Sequence, residues 1–464
     1  MKQIDQVANG AKFIADTPHR ESHDKCLWAA RIRRDKVAQQ IPEWEEMRLL
    51  ASEIKKHTLS HLDYYLDEFE KNAIANGIHV HWAKDAQEHN ELIYEIFKSH
   101  NVKTVTKGKS MLMDECEMRE YMTERGIDIF EADLGERIQQ LSNERASHIV
   151  MPAIHKLRGD VSRLFADHMN SDPDNDDPHY LNSVMRADMR KNYIKADAGM
   201  SGANFAIAET GGIVVCTNEG NADISANVPP LYVVSVGIEK LIPRASDVPL
   251  FVRLLSRSAL GFHVTQYTSH YHGPREGQEM HIVIVDNGRS ERLATPEYWE
   301  VLKCIRCSAC LNTCPVYRRS GGLSYDATYM GPIGIVLEPS YDLHLYAQLP
   351  YSCTHCGSCG NVCPVQVPLP SLIFRWRNIL VDKKEDLLVH RFQMDAAAIA
   401  LKNEFRLSWA EKFALSALKN TPSRILNSKL NDWAVNHTNP VPPEETFREF
   451  YKKQEKQNKS KLDQ

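Results

Sequence analysis

Two cysteine runs limit what this chain can fold into more than anything else in its sequence. The first reads Cys304-Ile-Arg-Cys307-Ser-Ala-Cys310-Leu-Asn-Thr-Cys314-Pro315, and the second Cys353-Thr-His-Cys356-Gly-Ser-Cys359-Gly-Asn-Val-Cys363-Pro364. Both follow C-x2-C-x2-C-x3-C-P, the spacing with which a polypeptide wraps a [4Fe–4S] cubane. Three close cysteines take three corners of one cube. The fourth, followed by proline, leaves the local turn for a corner of the other cube. The predicted ligand sets are Cys304, Cys307, Cys310 and Cys363 for one cluster, and Cys353, Cys356, Cys359 and Cys314 for the second. Structural zinc usually takes paired C-x2-C units, not triplets with a distant fourth ligand.

A chain of 464 residues has room for about two to four domains. Hydrophobic residues at 42% and charged residues at 25% are ordinary for a globular protein. The net charge of -5 excludes the broad basic field of a nucleic-acid binder. No apolar run reaches the ~18 residues of a membrane span. Met1 to Arg20 holds no apolar signal core. The chain is therefore expected in the cytoplasm, with peripheral contact on the inner face of the cell membrane as the remaining membrane option. Eleven cysteines in such a chain read as metal ligands, not as a disulfide framework. Cys26, Cys116 and Cys216 lie outside the runs. Cys216 sits in an apolar strand-like stretch and reads as inert packing.

Residues 1–64 mix charged and apolar residues at helical spacing, through Trp28 to Arg34 and Trp44 to Leu50, and read as a segment for packing or subunit contact. Over 65–292 strands and helices alternate. Strand-like runs cover 78–82, 103–106, 127–130, 148–151, 206–208, 212–216, 231–236 and 281–285, and helical patterns cover 86–100, 110–125 and 134–141. This alternation predicts an α/β domain with a largely parallel sheet. Asp172 to Pro178 is a surface turn. A calcium loop would need Gly and Glu at its sixth and twelfth positions, where Asp177 and Ser183 stand. A helical ferredoxin domain is expected over 293–372. Thr295-Pro296 should start a helix that carries Tyr298, Trp299 and Leu302 into Cys304. The 38 residues between Cys314 and Cys353 leave room for a helix or structured loop. Residues 373–464 read as a helical region. Leu372, Ile373, Trp376, Ile379 and Leu380 form an apolar stripe expected to dock on the ferredoxin domain or a partner. A further helix is expected over 409–418, and the last fifteen residues, rich in Lys and Gln, are expected to be disordered.

Lys107-Gly-Lys-Ser110 falls between a predicted strand and a predicted helix. A P-loop would need Gly at position 103, which is Lys103. Two readings remain. Either a helix N-terminus with Lys107, Lys109 and Ser110 holds a carboxylate or phosphate, or the helix is simply capped and its lysines exposed. Glu209, ahead of Gly211 and Gly212, is either a functional acid where a ligand approaches the backbone or the cap of a turn. No G-x-G-x-x-G occurs, so no dinucleotide fingerprint is present. His79 and His81, like His270 and His272, share a strand face. No carboxylate or cysteine completes a metal set with them in sequence, and they read as surface or core histidines. Lys303, Arg306, Arg318 and Arg319 flank the first run, and His355 lies inside the second. Cations near cluster sulfurs favour the reduced state, so the first cluster is expected to be the more easily reduced.

Lys107 to Met111, Ala132 to Glu136, Ala208 to Gly212, Glu279 to His281, Asp286 to Arg289 and Gly331 to Gly334 stand alongside the eight run cysteines. In this combination the chain resembles the lactate utilization protein B family over nearly its whole length. The resemblance implies a lactate utilization α/β domain with a fold related to sugar-phosphate isomerases and CoA transferases, then a ferredoxin domain with two [4Fe–4S] clusters. It also implies the iron–sulfur subunit of a three-protein system that oxidises L-lactate to pyruvate. Two sister subunits would be its partners, and a quinone or another respiratory carrier the acceptor. A cubane carries one electron at a time, so the implied role is relay, and the chain alone is not expected to oxidise lactate. The alternative has the α/β domain itself act on a small hydroxy or acyl acid through Glu209, with the clusters as its electron outlet. A third reading makes that domain a scaffold for assembly.

Overall fold

The computed structural model describes residues 3–385, 388–428, 434, 438, 439 and 441–462. Residues 1–385 make one compact unit and residues 386–464 another. Ten strands lie in the first: β1 His79–Ala83, β2 Thr104–Lys107, β3 Asp128–Glu131, β4 Ala198–Gly202, β5 Phe205–Ile207, β6 Gly212–Thr217, β7 Leu231–Gly237, β8 Leu241–Ile242, β9 Tyr267–Tyr271 and β10 Glu279–Val285. Six form a sheet in the order β1-β10-β7-β4-β2-β3, and every pairing in it is parallel. A parallel sheet is covered on both faces, so its central strands read as continuous apolar runs, and β7 is buried at every residue. Successive residues of β7 serve opposite faces. Val233 packs with Phe97 and Met113 on one side, and Val234 packs with Phe69 and Ala226 on the other. A second sheet runs β8-β5-β6-β9, with β6 antiparallel to both neighbours.

Strand β4 carries no sequence signal of its own, being Ala-Gly-Met-Ser-Gly. Its place in the sheet depends on Gly199. A Cβ there would come within 1.7 Å of the Ser225 carbonyl oxygen, on the helix Asn221–Asn227 that crosses it.

Three expected elements differ. The helix read over 110–125 is broken into Met111–Glu115 and Met118–Thr123, with Glu117 left-handed at φ 51°. Asn90 Nδ2 takes the freed Cys116 carbonyl at 2.7 Å. The strand read over 148–151 is a turn, closed by His148 Nδ1, which accepts from Val150 N at 3.0 Å and Met151 N at 2.9 Å. The helix expected from Thr295 is a 3₁₀ segment, Trp299–Lys303, tightened as the chain enters the first cysteine run.

The amino-terminal helices Gln6–Ala15, Thr17–Gln39 and Trp44–Ser60 pack on elements of the cysteine-rich region and on the helix Val248–Leu260. The helix Leu369–Asp382 buries Leu369, Leu372, Ile373, Trp376 and Leu380. Trp376 Nε1 donates to Val336 O at 2.9 Å and its ring stacks on Tyr298 at 4.4 Å. The apolar stripe read from sequence thus docks on the cysteine-rich region.

The second unit holds helices Leu388–Leu401, Glu404–Asn420, Ser423–Leu426 and Phe447–Leu462. Asn403 caps the second of these by accepting from Arg406 N at 2.9 Å. The last helix corrects the expectation of a disordered end. Lys, Glu and Gln are good helix formers, and Phe447 and Tyr451 meet one turn apart. Residues 463 and 464 lie outside the described residues. No helix among the described residues is long and apolar enough to cross a membrane.

Candidate functional site

Both cysteine runs turn in the same way. Arg306 and Ser308 in the first run, and His355 and Gly357 in the second, take left-handed φ values of 58°, 61°, 52° and 79°. These turns bring backbone N–H groups onto sulfur. Arg306 N donates to Cys304 Sγ at 3.4 Å, His355 N to Cys353 Sγ at 3.3 Å and Val367 N to Cys363 Sγ at 3.2 Å. Short helices Ala309–Thr313 and Ser358–Val362 pack against each other, so the fourth cysteine of each run reaches the other. Cys304, Cys307, Cys310 and Cys363 line one small cavity. Cys314 lies within electrostatic reach of Cys353 and Cys356, and Cys359 within reach of Cys314 and Cys353.

All eight thiols are free. Burial first, then neighbouring thiolates, push Cys314 up to about 11 and Cys359 up to about 12. Crowded thiols that resist ionisation alone suit a cationic iron–sulfur core, not a free nucleophile. The two sets differ in depth. In the first set Cys307, Cys310 and Cys363 are buried and Cys304 half-buried, whereas in the second Cys359 is buried, Cys314 and Cys353 are half-buried and Cys356 is exposed.

Only one of the flanking cations approaches sulfur as expected. Arg306 packs over the Tyr329 ring at 4.8 Å and is held charged, against the effect of its burial, by Tyr329, Cys304 and Glu239. Lys303 Nζ instead donates to Ser52 Oγ, Glu300 Oε1 and the Gln366 carbonyl, each at 3.2 Å. Arg318 pairs with Asp24 at 2.7 Å, and Arg319 lines an outer groove with Trp28. Further positive charge reaches the second run from Arg377, whose Nη2 donates to Cys353 O at 2.5 Å, and both runs from the amino-terminal helices, which read in sequence as packing. Arg48 Nε donates to Cys363 O at 2.9 Å, Arg34 Nη2 to Val362 O at 3.2 Å and Arg31 Nη1 to Ser358 Oγ at 3.2 Å. Their one available signal was the recurrence of arginine at Arg31, Arg34 and Arg48.

A cavity of about 490 Å³ opens at the carboxyl ends of β2, β3, β4 and β7, where open α/β sheets bind ligands. Lys109 and Ser110 line it. Lys109 Nζ donates to Val150 O at 3.0 Å, and Ser110 caps the next helix by accepting from Met113 N at 3.4 Å. Cys216 lines it too while packing against the hydrophobic core, and burial pushes its thiol up to about 12, as inert packing requires. Lys107 does not reach the cavity as a free cation. It is buried, 2.9 Å from Glu131, 3.4 Å from Glu136 and 3.4 Å from Asp114. Burial works against its charge, and these three carboxylates outweigh it. Lys107 is therefore spent inside the fold and drops out of the anion set. Glu209 stands apart from the cavity, where its Oε2 accepts from Ala245 N at 2.8 Å as a turn cap.

The cavity floor is a buried ionic network. Arg289 bonds Glu239 at 2.6 Å and Glu115 at 2.9 Å, and Tyr329 Oη donates to Glu115 at 2.6 Å. Burial would raise Glu239, but Arg289, Lys240 and Arg306 hold it at about 2. Burial lowers Lys240 to about 8 and Lys55 to about 7. Lys55 Nζ donates to the Glu239 and Leu241 carbonyls. The histidines lie elsewhere. His81 Nε2 is 2.9 Å from His281 Nδ1, and His281 Nε2 is 2.8 Å from Glu279. Among the described residues no three His, Cys, Asp or Glu side chains come together as a single metal ion would need.

Residues 66–292 match the family described as the LUD domain, and residues 300–367 match the 4Fe-4S dicluster domain. The chain is 38% identical over 471 residues to Lactate utilization protein B of Bacillus thuringiensis (strain Al Hakam), covering 97% of each chain. It is 39% identical over 442 residues to the protein of that name in Bacillus cytotoxicus, covering 91% of each. A crystal structure of a DUF162 family protein from Deinococcus radiodurans is 13% identical, with a TM-score of 0.28, over 48% of this chain and 98% of that one. That likeness is too slight to bear on the fold.

Proposed function

We propose that this chain, which belongs to the lactate utilization protein B family, is the electron-relay subunit of a complex that oxidises L-lactate to pyruvate. Cys304, Cys307, Cys310 and Cys363 would hold one [4Fe–4S] cluster, and Cys314, Cys353, Cys356 and Cys359 the other. Each cluster supplies single-electron transfer, so a pair in series passes on the electrons of a two-electron oxidation one at a time. Two sister subunits of the lactate utilization system are the partners, and a quinone or another respiratory carrier is the final acceptor. The chain would work in the cytoplasm or at the inner face of the cell membrane.

The observation that carries this reading is the difference in depth between the two cysteine sets. The first is mostly buried and borders the cavity through Ile149 and Arg306, while the second presents Cys356 at the surface. A path from an inner donor to an outer acceptor needs both positions. The alternative, catalysis through Glu209, draws no support from a carboxylate that caps a turn outside the cavity.

The test is to purify the chain anaerobically, alone and with its sister subunits. The isolated chain should hold about eight irons as two cubanes and leave lactate unoxidised. The assembled system should show lactate-dependent bleaching of the cluster absorbance. Rapid lactate oxidation by the isolated chain would overturn the relay, and zinc in place of iron after anaerobic reconstitution would overturn the clusters.

A further inference from the structure

The large cavity and the seat of the first cysteine set share a wall. Arg306 and Ile149 line both. Arg306 is 9% exposed at its side chain, and its Nη1 has no hydrogen-bond partner. A buried guanidinium N–H without an acceptor is costly, and this one stands where the cavity meets the cysteines. Lys240 and the ionised Glu239 line the cavity as well, Glu239 lying 3.9 Å from Arg306 Nη2. Further out the wall is mostly apolar, through Met111, Ile138, Val215, Leu255 and Phe262, with the amide of Asn204 among them.

Size and lining together select a ligand class. A volume of about 490 Å³ falls within the roughly 300–1,000 Å³ of pockets that enclose drug-sized molecules. A three-carbon acid would leave most of it empty and its apolar walls unused. A flat organic ring system would fill it, and the unpartnered Nη1 of Arg306 suits a carbonyl oxygen. We propose that this cavity binds a planar, conjugated carbonyl compound, the chemistry shared by flavin and quinone rings, with its carbonyl edge toward Arg306. Such a ligand would be separated from the first cysteine set only by the side chains that line both spaces. The choice of an electron-carrying ring rests on the relay reading; the binding itself is measured independently of electron flow.

The experiment titrates the full, iron-loaded chain anaerobically, by calorimetry, with riboflavin and with a ubiquinone carrying a single isoprene unit. L-lactate and pyruvate form the small-acid arm. One of the two rings should bind saturably at one per chain, and which one does so separates flavin from quinone. Ala203→Trp, which fills the cavity away from the cysteines, should weaken that binding at least tenfold with iron content unchanged. Leu134→Trp, on the partly exposed rim, is the second blocking variant should the first not fold. Arg306→Met should weaken it as well. Binding of the small acids alone, no binding of either ring, or ring binding indifferent to both tryptophans overturns the proposal. If no ring binds while the assembled complex still delivers lactate electrons through its clusters, the cavity assignment fails and the relay stands. If a ring binds while the clusters never respond to lactate, the relay fails and the site stands.

Discussion

Arg48, in the helix Trp44–Ser60, donates its Nε to the carbonyl oxygen of Cys363 at 2.9 Å. The bond ties the amino-terminal helices to the cysteine that crosses from the second run into the first set. The side chain is 9% exposed, so its charge sits close to where a cluster's negative charge would be. Arg48→Met keeps most of the bulk and removes the donor. One hydrogen bond to a charged group is worth ~1.5–3 kcal/mol, and the loss should fall mainly on the first set. The expected result is about half the wild-type iron per chain after anaerobic reconstitution, the remainder still reducible. Full iron content, or equal loss from both sets, would show that Arg48 supports the fold at large.

The crossing itself has a direct test. Cys363→Ala should empty the set that contains Cys304, and Cys314→Ala the set that contains Cys353. The first loss should remove the more buried cluster and the second the more exposed one. Paramagnetic spectra of the two reduced variants should therefore show opposite survivors. If each variant instead loses the cluster of its own run, the runs close on themselves.

Lys240 gives a pH dependence with a definite sign. Burial lowers its ammonium from 10.5 to about 8. Between those values the unfolded chain binds the proton and the folded chain does not, so stability rises with pH across that window. Below about 8 the cost of the buried charge is felt in full. Thermal unfolding of the wild-type chain should show Tm climbing between pH 8 and 10. Lys240→Met should be more stable at pH 7 and should make the climb shallower, the rest of it belonging to Lys55, which burial lowers to about 7. A wild-type curve already flat there would mean that the amine is solvated.

What could be read from the sequence, and what could not, divides along physical lines. The cysteine runs were legible as a 4Fe-4S dicluster domain because one close spacing recurs twice, over 304–314 and 353–363. Strands β7 and β10 were legible because a doubly covered parallel strand must be apolar throughout. Strand β4 was not, because Gly199 is there for the close approach of the Ser225 carbonyl, a demand set by another element. The turn at His148 reads as a strand until its ring nitrogen is seen to accept two backbone N–H groups. Arg31, Arg34 and Arg48 look like a solvated helix face until the cysteine-rich region, hundreds of residues later, folds against them. Lys107 failed in the opposite direction. Its place at the end of a strand suggested a free cation, and only the fold brings Glu131, Glu136 and Asp114 around it.

Lys109 and Glu209 separate the roles left for the α/β domain. Lys109 lines the cavity, with its Nζ on the Val150 carbonyl at 3.0 Å, while Glu209 holds the Ala245 N–H at 2.8 Å at a turn outside it. Glu209→Gln keeps an acceptor for that N–H and should leave turnover of the assembled lactate-oxidising system unchanged, within experimental error. Lys109→Ala removes a charge from the cavity wall and frees the 150–151 backbone beside it. If the cavity takes part in turnover, the apparent affinity or the rate should fall at least about tenfold, as the loss of one charged contact of ~1.5–3 kcal/mol requires. If the domain only supports assembly, Lys109→Ala should behave like Glu209→Gln, and both should keep full activity with intact subunit association in gel filtration. A large loss in Glu209→Gln with Lys109→Ala unaffected would reverse the assignment and restore the carboxylate as a catalytic group.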